Sequence, residues 1–258
     1  MSDDDNVPGL PQSIEMAWGL RERPGKGPRR GLSLDRIVQA GVRVAVEEGL
    51  PAVSMGRVAS ELGVSTMALY RYVSSKDDLL LLMVDSISAE PPPLPSPGEH
   101  WRPALERWAW SIRAILLRNT WAVRVPISGP PAMPNDVAWM EAALRCLRDT
   151  GLDGGAKISI LLLLSAVVRN DVLLTADLEA ALRASGTTEQ EVLQGYGQLL
   201  ARVADPLRFP AIHELIKDGV FNETDGPDDE FAFALERVLD GIEMLVTRAG
   251  GRRGEAGS

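Results

Sequence analysis

The sequence predicts an all-α protein with a small N-terminal helix-turn-helix unit followed by a larger helical domain. Two observations support this fold class. From residue 33 onward, apolar residues recur at the three- and four-residue spacing of helices, and no segment stands out with the apolar–polar alternation of a strand. The segment PPPLPSPG at 91–98 interrupts this pattern and separates the two parts of the chain.

Length and composition fit two domains of modest size. The chain has 258 residues, of which 45% are hydrophobic and 24% are charged, as in ordinary globular proteins. We expect a flexible basic arm at 1–30, a helix-turn-helix domain at 31–90, a helical domain at 99–249 and a disordered tail at 250–258.

The charge is distributed unevenly. The whole chain has a net charge of −9, yet residues 20–78 carry 10 Lys and Arg side chains against 7 Asp and Glu. A basic region at one end of an acidic protein suits phosphate binding, and the alternative is a chance scatter of surface charge. The single cysteine, Cys146, excludes an intrachain disulfide.

We expect a cytoplasmic protein without a membrane segment. No signal-peptide pattern is visible, because the first residues are acidic and rich in proline. The most apolar run, 158–168, is shorter than the roughly 18 residues that a membrane span needs.

The first four predicted helices each follow a residue that suits an N-cap; these residues are Ser33, Ser54, Ser65 and Ser75. Gly49 ends the first helix, and Gly63 lies at the sharp turn after the second, where a positive φ is needed. The third helix is predicted at 66–72, and the fourth continues to about residue 89. Beyond the linker, six helices are predicted at about 100–118, 134–150, 153–184, 188–205, 209–218 and 228–248.

The third helix carries side chains that suit DNA. In a helix-turn-helix the second helix of the pair lies in the major groove, where hydroxyls, guanidinium groups and apolar groups contact phosphates, guanine edges and thymine methyls. The candidate DNA contacts on this helix are Ser65, Thr66, Met67, Tyr70, Arg71 and Tyr72. Short helical hairpins with a glycine are also common structural elements, so a purely structural hairpin is the alternative.

The segment SMGRVASELGVSTMALYRYVSSKDDLLLLMV, which begins at Ser54, strongly resembles the N-terminal domain of tetracycline-repressor (TetR) family regulators. The matching features are the A-x-x-L-G-V turn at 59–64, the L-Y-x-Y/H-V pattern at 69–73 and the K-x-x-L pattern from Lys76. The resemblance therefore implies a DNA-binding domain of three helices.

The resemblance also implies roles for single residues. Tyr70 and Tyr72 match aromatic contacts to phosphate and bases, Lys76 matches a lysine that binds phosphate, and Ser54 matches a cap that also touches the DNA backbone. Many members carry an arginine where this chain has Gly56, so base reading from the second helix is expected to be weaker. We expect Arg57 to contact DNA without replacing that arginine fully.

The basic arm before the first helix is a further candidate for DNA contact. Its side chains suit phosphates or the minor groove, and a solubilising tail is the alternative. Its charged residues are Arg21, Arg23, Lys26, Arg29 and Arg30.

The resemblance continues more weakly beyond residue 100, in segments that include WRPALERWAWSIRAILL and FAFALERVLDGIEMLV. These look like the tetracycline-repressor type of C-terminal domain, which implies a homodimer held by a four-helix bundle with two helices from each subunit. The wide apolar stripe of 228–248 and the run 158–164, apolar on all sides, support such a bundle. A core within one chain is the alternative.

The family resemblance also places a ligand cavity between residues 101 and 139, where five of the six tryptophans lie. Aromatic and methionine side chains suit an apolar pocket with a few polar anchors, so we predict a small hydrophobic effector. The candidate ligand-binding residues are Trp101, Trp108, Trp121, Met133, Trp139, Met140, Arg169 and His213. For each of them, packing in the core is the alternative.

We predict no metal and no other cofactor. The tetracycline repressor binds a drug–magnesium chelate through a histidine, and the best match for that position here is Ile127. The two histidines, His100 and His213, have no carboxylate cluster at ligand spacing.

The sequence predicts a DNA-binding transcriptional repressor rather than an enzyme, because it has no phosphate-binding glycine loop and no nucleophile motif. We expect it to bind a palindromic operator as a homodimer and to be released by the effector. The alternative is a helical dimeric ligand-binding protein with weak or lost DNA binding.

Overall fold

The computed structural model describes residues 12–20, 32–224 and 226–255. Within these ranges the regular secondary structure is entirely helical, which confirms the all-α fold class. The helices are α1 (Gln12–Ala17), α2 (Leu34–Glu48), α3 (Met55–Leu62), α4 (Thr66–Leu69), α5 (Lys76–Ile87), α6 (Trp101–Arg118), α7 (Pro134–Cys146), α8 (Gly154–Ser185), α9 (Glu189–Val203), α10 (Pro210–Lys217) and α11 (Asp229–Glu255). Short 3-10 turns lie at Leu50–Ala52 and Ala122–Arg124.

Helices α2 to α5 form the N-terminal domain. Three of the predicted caps are made: the hydroxyls of Ser33, Ser54 and Ser75 accept hydrogen bonds from backbone N–H groups three residues later, at 3.0–3.2 Å. Helix α2 packs against α3 and α5, and α3 packs against α4. The most deeply buried side chains include Ile37, Leu69, Leu79 and Met83. Burial of a side chain of this size contributes about 1.5–3 kcal/mol to stability.

Two glycines allow this packing. A Cβ on Gly41 of α2 would lie 2.6 Å from Sδ of Met83, so glycine lets α5 approach α2 closely. Gly63 ends α3 with a φ of 67°, in the left-handed region that favours glycine, and turns the chain toward α4. Helix α4 ends at Leu69, earlier than the predicted 72, because the chain turns toward α5 after one helical turn.

The N-terminal residues differ from the predicted flexible arm. Residues 12–17 form α1, which packs against α5, and Ile14 and Ala17 are partly buried against the core. The prediction of flexibility was therefore wrong for residues 12–20. Their apolar stripe is only one turn long, too short to stand out as a helical pattern. The predicted DNA contacts Arg21, Arg23, Lys26, Arg29 and Arg30 lie outside the described residues.

Helices α6, α7, α8 and α11 form the C-terminal bundle, in which α8 packs against the other three. Cys146, the last residue of α7, is buried, and this burial raises the pKa of its thiol to about 11. Helices α9 and α10 pack against each other. Helix α11 continues to Glu255, so the predicted disorder of 250–258 was wrong for 250–255, and residues 256–258 lie outside the described residues. Each added helical residue gains a hydrogen bond, and a glycine costs only about 1 kcal/mol in a helix.

Helix α8 is long and apolar enough, by length and composition, to cross a membrane, and 28% of its most apolar window is buried in the structure. No such segment was expected from the sequence, because the uninterrupted apolar run 158–168 is too short by itself. A core helix of a globular protein meets the same criteria. Its inward face packs against α6, α7 and α11, as a core helix does.

Candidate functional site

The structure brings most of the predicted DNA contacts together around α4 and the first turn of α5. Met67 and Tyr70 are 75% and 46% exposed, and Ser65, Arg71 and Lys76 are also exposed. Thr66 is partly buried. Neither Arg71 nor Lys76 forms an ion pair with any described residue, so both cations are available to a phosphate or a base.

Buried side chains hold this surface in place. Leu69 of α4 and Val73 after it are at most 1% exposed, and they pack in the same core as Val58 and Ala59 of α3. Because α4 has only four residues, it depends on this packing rather than on its own hydrogen bonds. The exposed side chains of α4 therefore sit on a fixed backbone.

Tyr72 has a structural role in the protein, and its predicted contact with DNA stays a prediction. Its hydroxyl donates a hydrogen bond of 2.9 Å to the carbonyl oxygen of Leu32, and its ring is partly buried against the core. The sequence alone did not reveal this bond because its partners lie 40 residues apart. Tyr70 is the tyrosine whose side chain is exposed on this surface.

Arg57 is also engaged within the protein. Its Nε donates to Oε1 of Glu48 at 2.9 Å, and its Nη1 donates to Oε2 of Glu61 at 3.0 Å. These hydrogen bonds raise the pKa of Arg57. Two carboxylates thus bind this guanidinium in the free protein, and its predicted contact with DNA stays a prediction. Ser54 caps α3, as predicted, and its contact with DNA stays a prediction.

The backbone at Gly56 has room for a larger side chain. A Cβ there would have no heavy atom within 4 Å, and the residue is exposed on α3. The absence of a long cation at this position is thus a property of the sequence and not a steric requirement of the fold.

The N-terminal domain joins the bundle through Asp85 at the end of α5. Its Oδ1 accepts hydrogen bonds from the backbone N–H groups of Asn135 at 2.9 Å and Asp136 at 3.4 Å, and thus caps the N-terminus of α7. The side-chain amide of Asn135 donates to the carbonyl oxygen of Asp85 at 3.0 Å. One turn further along α7, the indole N–H of Trp139 donates to the carbonyl oxygen of Ser88 at 2.8 Å.

This joint buries carboxyl groups. Burial and the nearby charge of Asp85 raise the pKa of Asp136 to about 6. Burial also raises the pKa of Asp85, although the hydrogen bonds from Asn135 and Asp136 act in the opposite direction. The contact between the domains therefore contains a group that titrates near neutral pH.

The predicted ligand-binding tryptophans are mostly packed in the core. Trp101, Trp108, Trp121 and Trp139 are each at most 7% exposed. The rings of Trp108 and Trp139 meet edge to face with centroids 6.2 Å apart, and the indole N–H of Trp108 donates to the carbonyl oxygen of Trp139 at 3.0 Å. Met133 is likewise buried, whereas the indole N–H of Trp121 is buried without a hydrogen-bond partner among the described residues.

The remaining predicted ligand residues have contacts of their own within the protein. Met140 is partly buried against the core, and Arg169 of α8 donates to the carbonyl oxygen of Val123 at 2.9 Å. Burial lowers the pKa of Arg169. His213 lies on α10, where its Nε2 is 2.6 Å from the carbonyl oxygen of Ala204. The structure therefore places His213 in the α9–α10 pair and not among the tryptophans.

Two cavities reach predicted ligand residues. One of about 610 Å³ lies between the linker, α6, α7 and α11 and is lined by Trp101. Another of about 480 Å³ lies between the two domains and is lined by Trp121. Within the described part of the chain, no three His, Cys, Asp or Glu side chains are placed to hold a metal ion.

Sequence reasoning missed Arg113, a charged residue at the centre of the bundle. It is 4% exposed, and its guanidinium pairs with Asp171 of α8 at 2.7 Å and Asp228 at 2.6 Å. Its carbon Cζ lies 4.7 Å from the ring centroid of Phe231. Burial acts to lower the pKa of Arg113, but the two carboxylates outweigh burial and raise it. Arg113 follows buried Leu105 and Ala109 at four-residue spacing, which is the signal that could have revealed it.

Both parts of the chain match known protein families. Residues 37–83 match the family described as "Bacterial regulatory proteins, tetR family", and residues 94–246 match "Tetracyclin repressor-like, C-terminal domain". The chain is 37% identical over 251 residues to the HTH-type transcriptional repressor DrrR1 of Streptomyces coeruleorubidus, covering 96% of this chain and 89% of that relative. The chain belongs to the TetR family. The predicted TetR-family DNA-binding repressor is thereby confirmed.

Solved structures of TetR-family proteins share the fold. Apo ActR from Streptomyces coelicolor superposes with a TM-score of 0.72 at 27% identity, covering 87% of this chain and all of that one. ActR in complex with actinorhodin gives a TM-score of 0.71 at 29% identity, covering 84% of this chain and 99% of that one. A TetR-family relative with this architecture thus binds a small molecule.

The raised pKa of Asp136 predicts a pH-dependent stability. Its pKa is about 6 in the folded protein and near 3.8 when unperturbed, so the folded state binds more protons between these values. The free energy of unfolding should therefore fall as the pH rises from about 4 to 7. Asp136→Asn should be more stable than the wild type at pH 7.5, by about 1–2 kcal/mol after allowance for a lost helix-dipole interaction.

Urea denaturation of both proteins at pH 5 and pH 7.5 measures this difference, which should shrink at the lower pH. Asp149→Asn, at an exposed position beyond the C-terminus of α7, is the matched control. A stability difference for Asp136→Asn that is equal at the two pH values would contradict the prediction.

Proposed function

We propose that this TetR-family repressor binds a palindromic operator in the cytoplasm as a homodimer and releases it when a small hydrophobic effector binds the C-terminal domain. The observation that carries the proposal is the surface around α4, where Tyr70, Arg71 and Lys76 are exposed on a backbone fixed by Leu69. Cations contribute the salt-dependent attraction to phosphates, and an aromatic hydroxyl suits phosphate or base contact.

The charge of this surface favours binding of the phosphate backbone. Lys76 is the first residue of α5, a helix of twelve residues whose N-terminus carries the positive end of the helix dipole. Arg71 is exposed just beyond α4. Arg57 is paired with Glu48 and Glu61, and Gly56 has no side chain, so the contacts that read bases are expected to come from α4.

The outer faces of α8 and α11 support a dimer. Leu162 of α8 is 64% exposed and Phe233 of α11 is 62% exposed, and these two helices pack side by side. Further exposed apolar side chains on the same helices are Ile158, Leu163, Leu174, Leu178, Met244 and Leu245. Large exposed apolar surfaces mark interaction sites, and two such helix pairs would form a four-helix bundle between subunits.

Much of the apolar stripe predicted on 228–248 faces the core of its own chain. Phe231, Leu235, Leu239 and Ile242 are buried within one chain. Substitution of these residues would destabilise the fold of the subunit. Substitution of the exposed Leu162 or Phe233 instead tests the association of two subunits.

The effector part of the proposal is supported by the composition of the bundle and by the relative that binds actinorhodin. The core of the C-terminal domain is rich in tryptophan, leucine and valine, and it contains Arg113, a buried cation whose two ion pairs join α6, α8 and the start of α11. A mostly apolar compound with a few polar groups suits such surroundings. Because α7 also carries the joint to α5, a ligand that shifts α7 changes the position of the N-terminal domain.

The exposed side chains around α4 are expected to contact DNA directly. Tyr70→Ala and Lys76→Ala should each weaken binding to an operator selected from random duplexes by about 1–3 kcal/mol, because each removes one exposed contact. Lys76→Ala should also lower the slope of log affinity against log salt by about one unit. Gel-shift titration at several salt concentrations measures both effects.

Matched controls lie far from α4 in the sequence. Tyr196→Ala removes a tyrosine that is 50% exposed on α9, and Lys217→Ala removes an exposed lysine on α10. Both should bind the operator like the wild type. If no duplex is selected, the protein is instead a helical ligand-binding dimer with weak or lost DNA binding.

The exposed apolar side chains of α8 are expected to lie in the interface of the dimer. Leu162→Glu should convert a wild-type dimer into a monomer, because association would bury the new carboxylate without a partner. Sedimentation velocity at micromolar concentration measures this. Leu94→Glu, on the exposed linker, is the control and should remain dimeric. A monomeric wild type, or a dimeric Leu162→Glu variant, would refute the proposed interface.

Binding of the effector and binding of the operator are expected to weaken each other. Actinorhodin, the ligand in the ActR complex, is the first compound to test, and it should quench tryptophan fluorescence. If actinorhodin lowers the affinity for the operator by some factor, thermodynamic linkage requires that the operator lower the affinity for actinorhodin by the same factor. That factor is typically about 5- to 150-fold. Fluorescence titrations with and without the operator compare the two affinities. Equal affinities would show that actinorhodin does not release this protein from DNA.

A further inference from the structure

The N-terminal segment at residues 12–20 touches both domains. It precedes both family matches, which begin at residues 37 and 94. Its helix α1 packs against α5 of the N-terminal domain, and Ser13 is 3% exposed. At the other end of the segment, the indole N–H of Trp18 donates a hydrogen bond of 2.8 Å to the carbonyl oxygen of Ala132.

The position of Ala132 gives this hydrogen bond its significance. Ala132 lies two residues before Pro134, where α7 of the C-terminal bundle begins, and three residues before Asn135, which binds Asp85. The segment therefore adds a contact between α5 and the loop before α7, beside the joint formed by Asp85 and Asn135. A rotation of α5 against α7 would change the distance between Trp18 and Ala132.

We propose that residues 12–20 form a clasp between the two domains, in which Trp18 is a positioning residue that restricts the orientation of the N-terminal domain for operator binding. The proposal rests on the proposed function as a dimeric operator-binding repressor. Trp18 itself lies outside the surface around α4, so it acts through the position of that surface.

Restricted orientation matters because a dimer must place two recognition helices about 34–36 Å apart on DNA. The twelve residues of α5, about 18 Å of helix, separate the residues that follow α4 from the joint, so a rotation at the joint displaces α4 with the rest of the domain. A domain held in the binding orientation loses less conformational freedom when DNA binds, and therefore binds more tightly. It also tolerates less variation in the spacing of the half-sites.

Both ends of the clasp can be tested in the full-length protein. Trp18→Phe keeps an aromatic ring and removes the hydrogen-bond donor, whereas Ile14→Ala weakens the packing of α1 on the core. Each variant should bind the operator selected by the wild type about threefold to tenfold more weakly, as expected for one hydrogen bond or a few buried methyl groups.

The second measurement is how strongly operator affinity depends on the spacing of the two half-sites. Insertion of one base pair at the centre of the operator should weaken wild-type binding strongly and weaken binding of each variant by a smaller factor, because a released domain adapts to the new spacing. The double variant should be no weaker than the weaker single variant, since breaking either end opens the same clasp. Leu20→Ala, at a 67% exposed position of the same segment, is the control and should behave like the wild type.

The outcomes separate this inference from the proposed function. Unchanged affinity and unchanged spacing tolerance in both variants would overturn the clasp and leave the DNA-binding function intact. Weaker binding with unchanged spacing tolerance would show a merely structural role and would equally overturn it. Failure of the wild type to select any duplex would overturn both the proposed function and the clasp.

Discussion

The surface proposed to bind DNA depends on the burial of one leucine. Helix α4 has four residues, too few to be stable alone, and Leu69 anchors it in the core of the N-terminal domain. Gly63 sets the direction in which the chain enters α4, through a backbone conformation that other residues rarely adopt. This division of labour leaves Met67, Tyr70 and the following residues free to vary without loss of the fold, so that specificity for DNA can change independently of stability.

The second constraint is the joint between the domains. The first N–H groups of α7 need acceptors, and Asp85 supplies one from the other domain. The helix cap and the contact between domains are therefore the same interaction, so a shift of the start of α7 cannot leave α5 unaffected. The joint relies on hydrogen bonds, whose strength depends steeply on geometry, and this suits the proposed role of the joint in the response to an effector.

The sequence allowed the local parts of this architecture to be predicted and concealed the long-range ones. The serine caps and the glycine turn depend on neighbours within a few residues, so α2, α3 and α5 were placed within about a residue of their observed starts. The pairing of Arg57 with Glu48, nine residues earlier on another helix, was not visible, so the prediction of a DNA contact for Arg57 did not include this ion pair. Asp85 and Asn135 lie 50 residues apart, and a polar residue in an apolar helix gave no indication of its partner. The packed tryptophans show the same limit, because composition does not distinguish a ligand pocket from a core.

The burial of Cys146 has a practical consequence for spectroscopy. A thiol with a pKa of about 11 stays protonated at neutral pH, and thiol-specific reagents attack the thiolate, so the natural cysteine should remain unlabelled in the folded protein. A cysteine introduced at an exposed position would then be the sole label in each subunit. Spin labels or fluorophores attached in this way would report distances between the two halves of an assembly without first removing a native residue from its core.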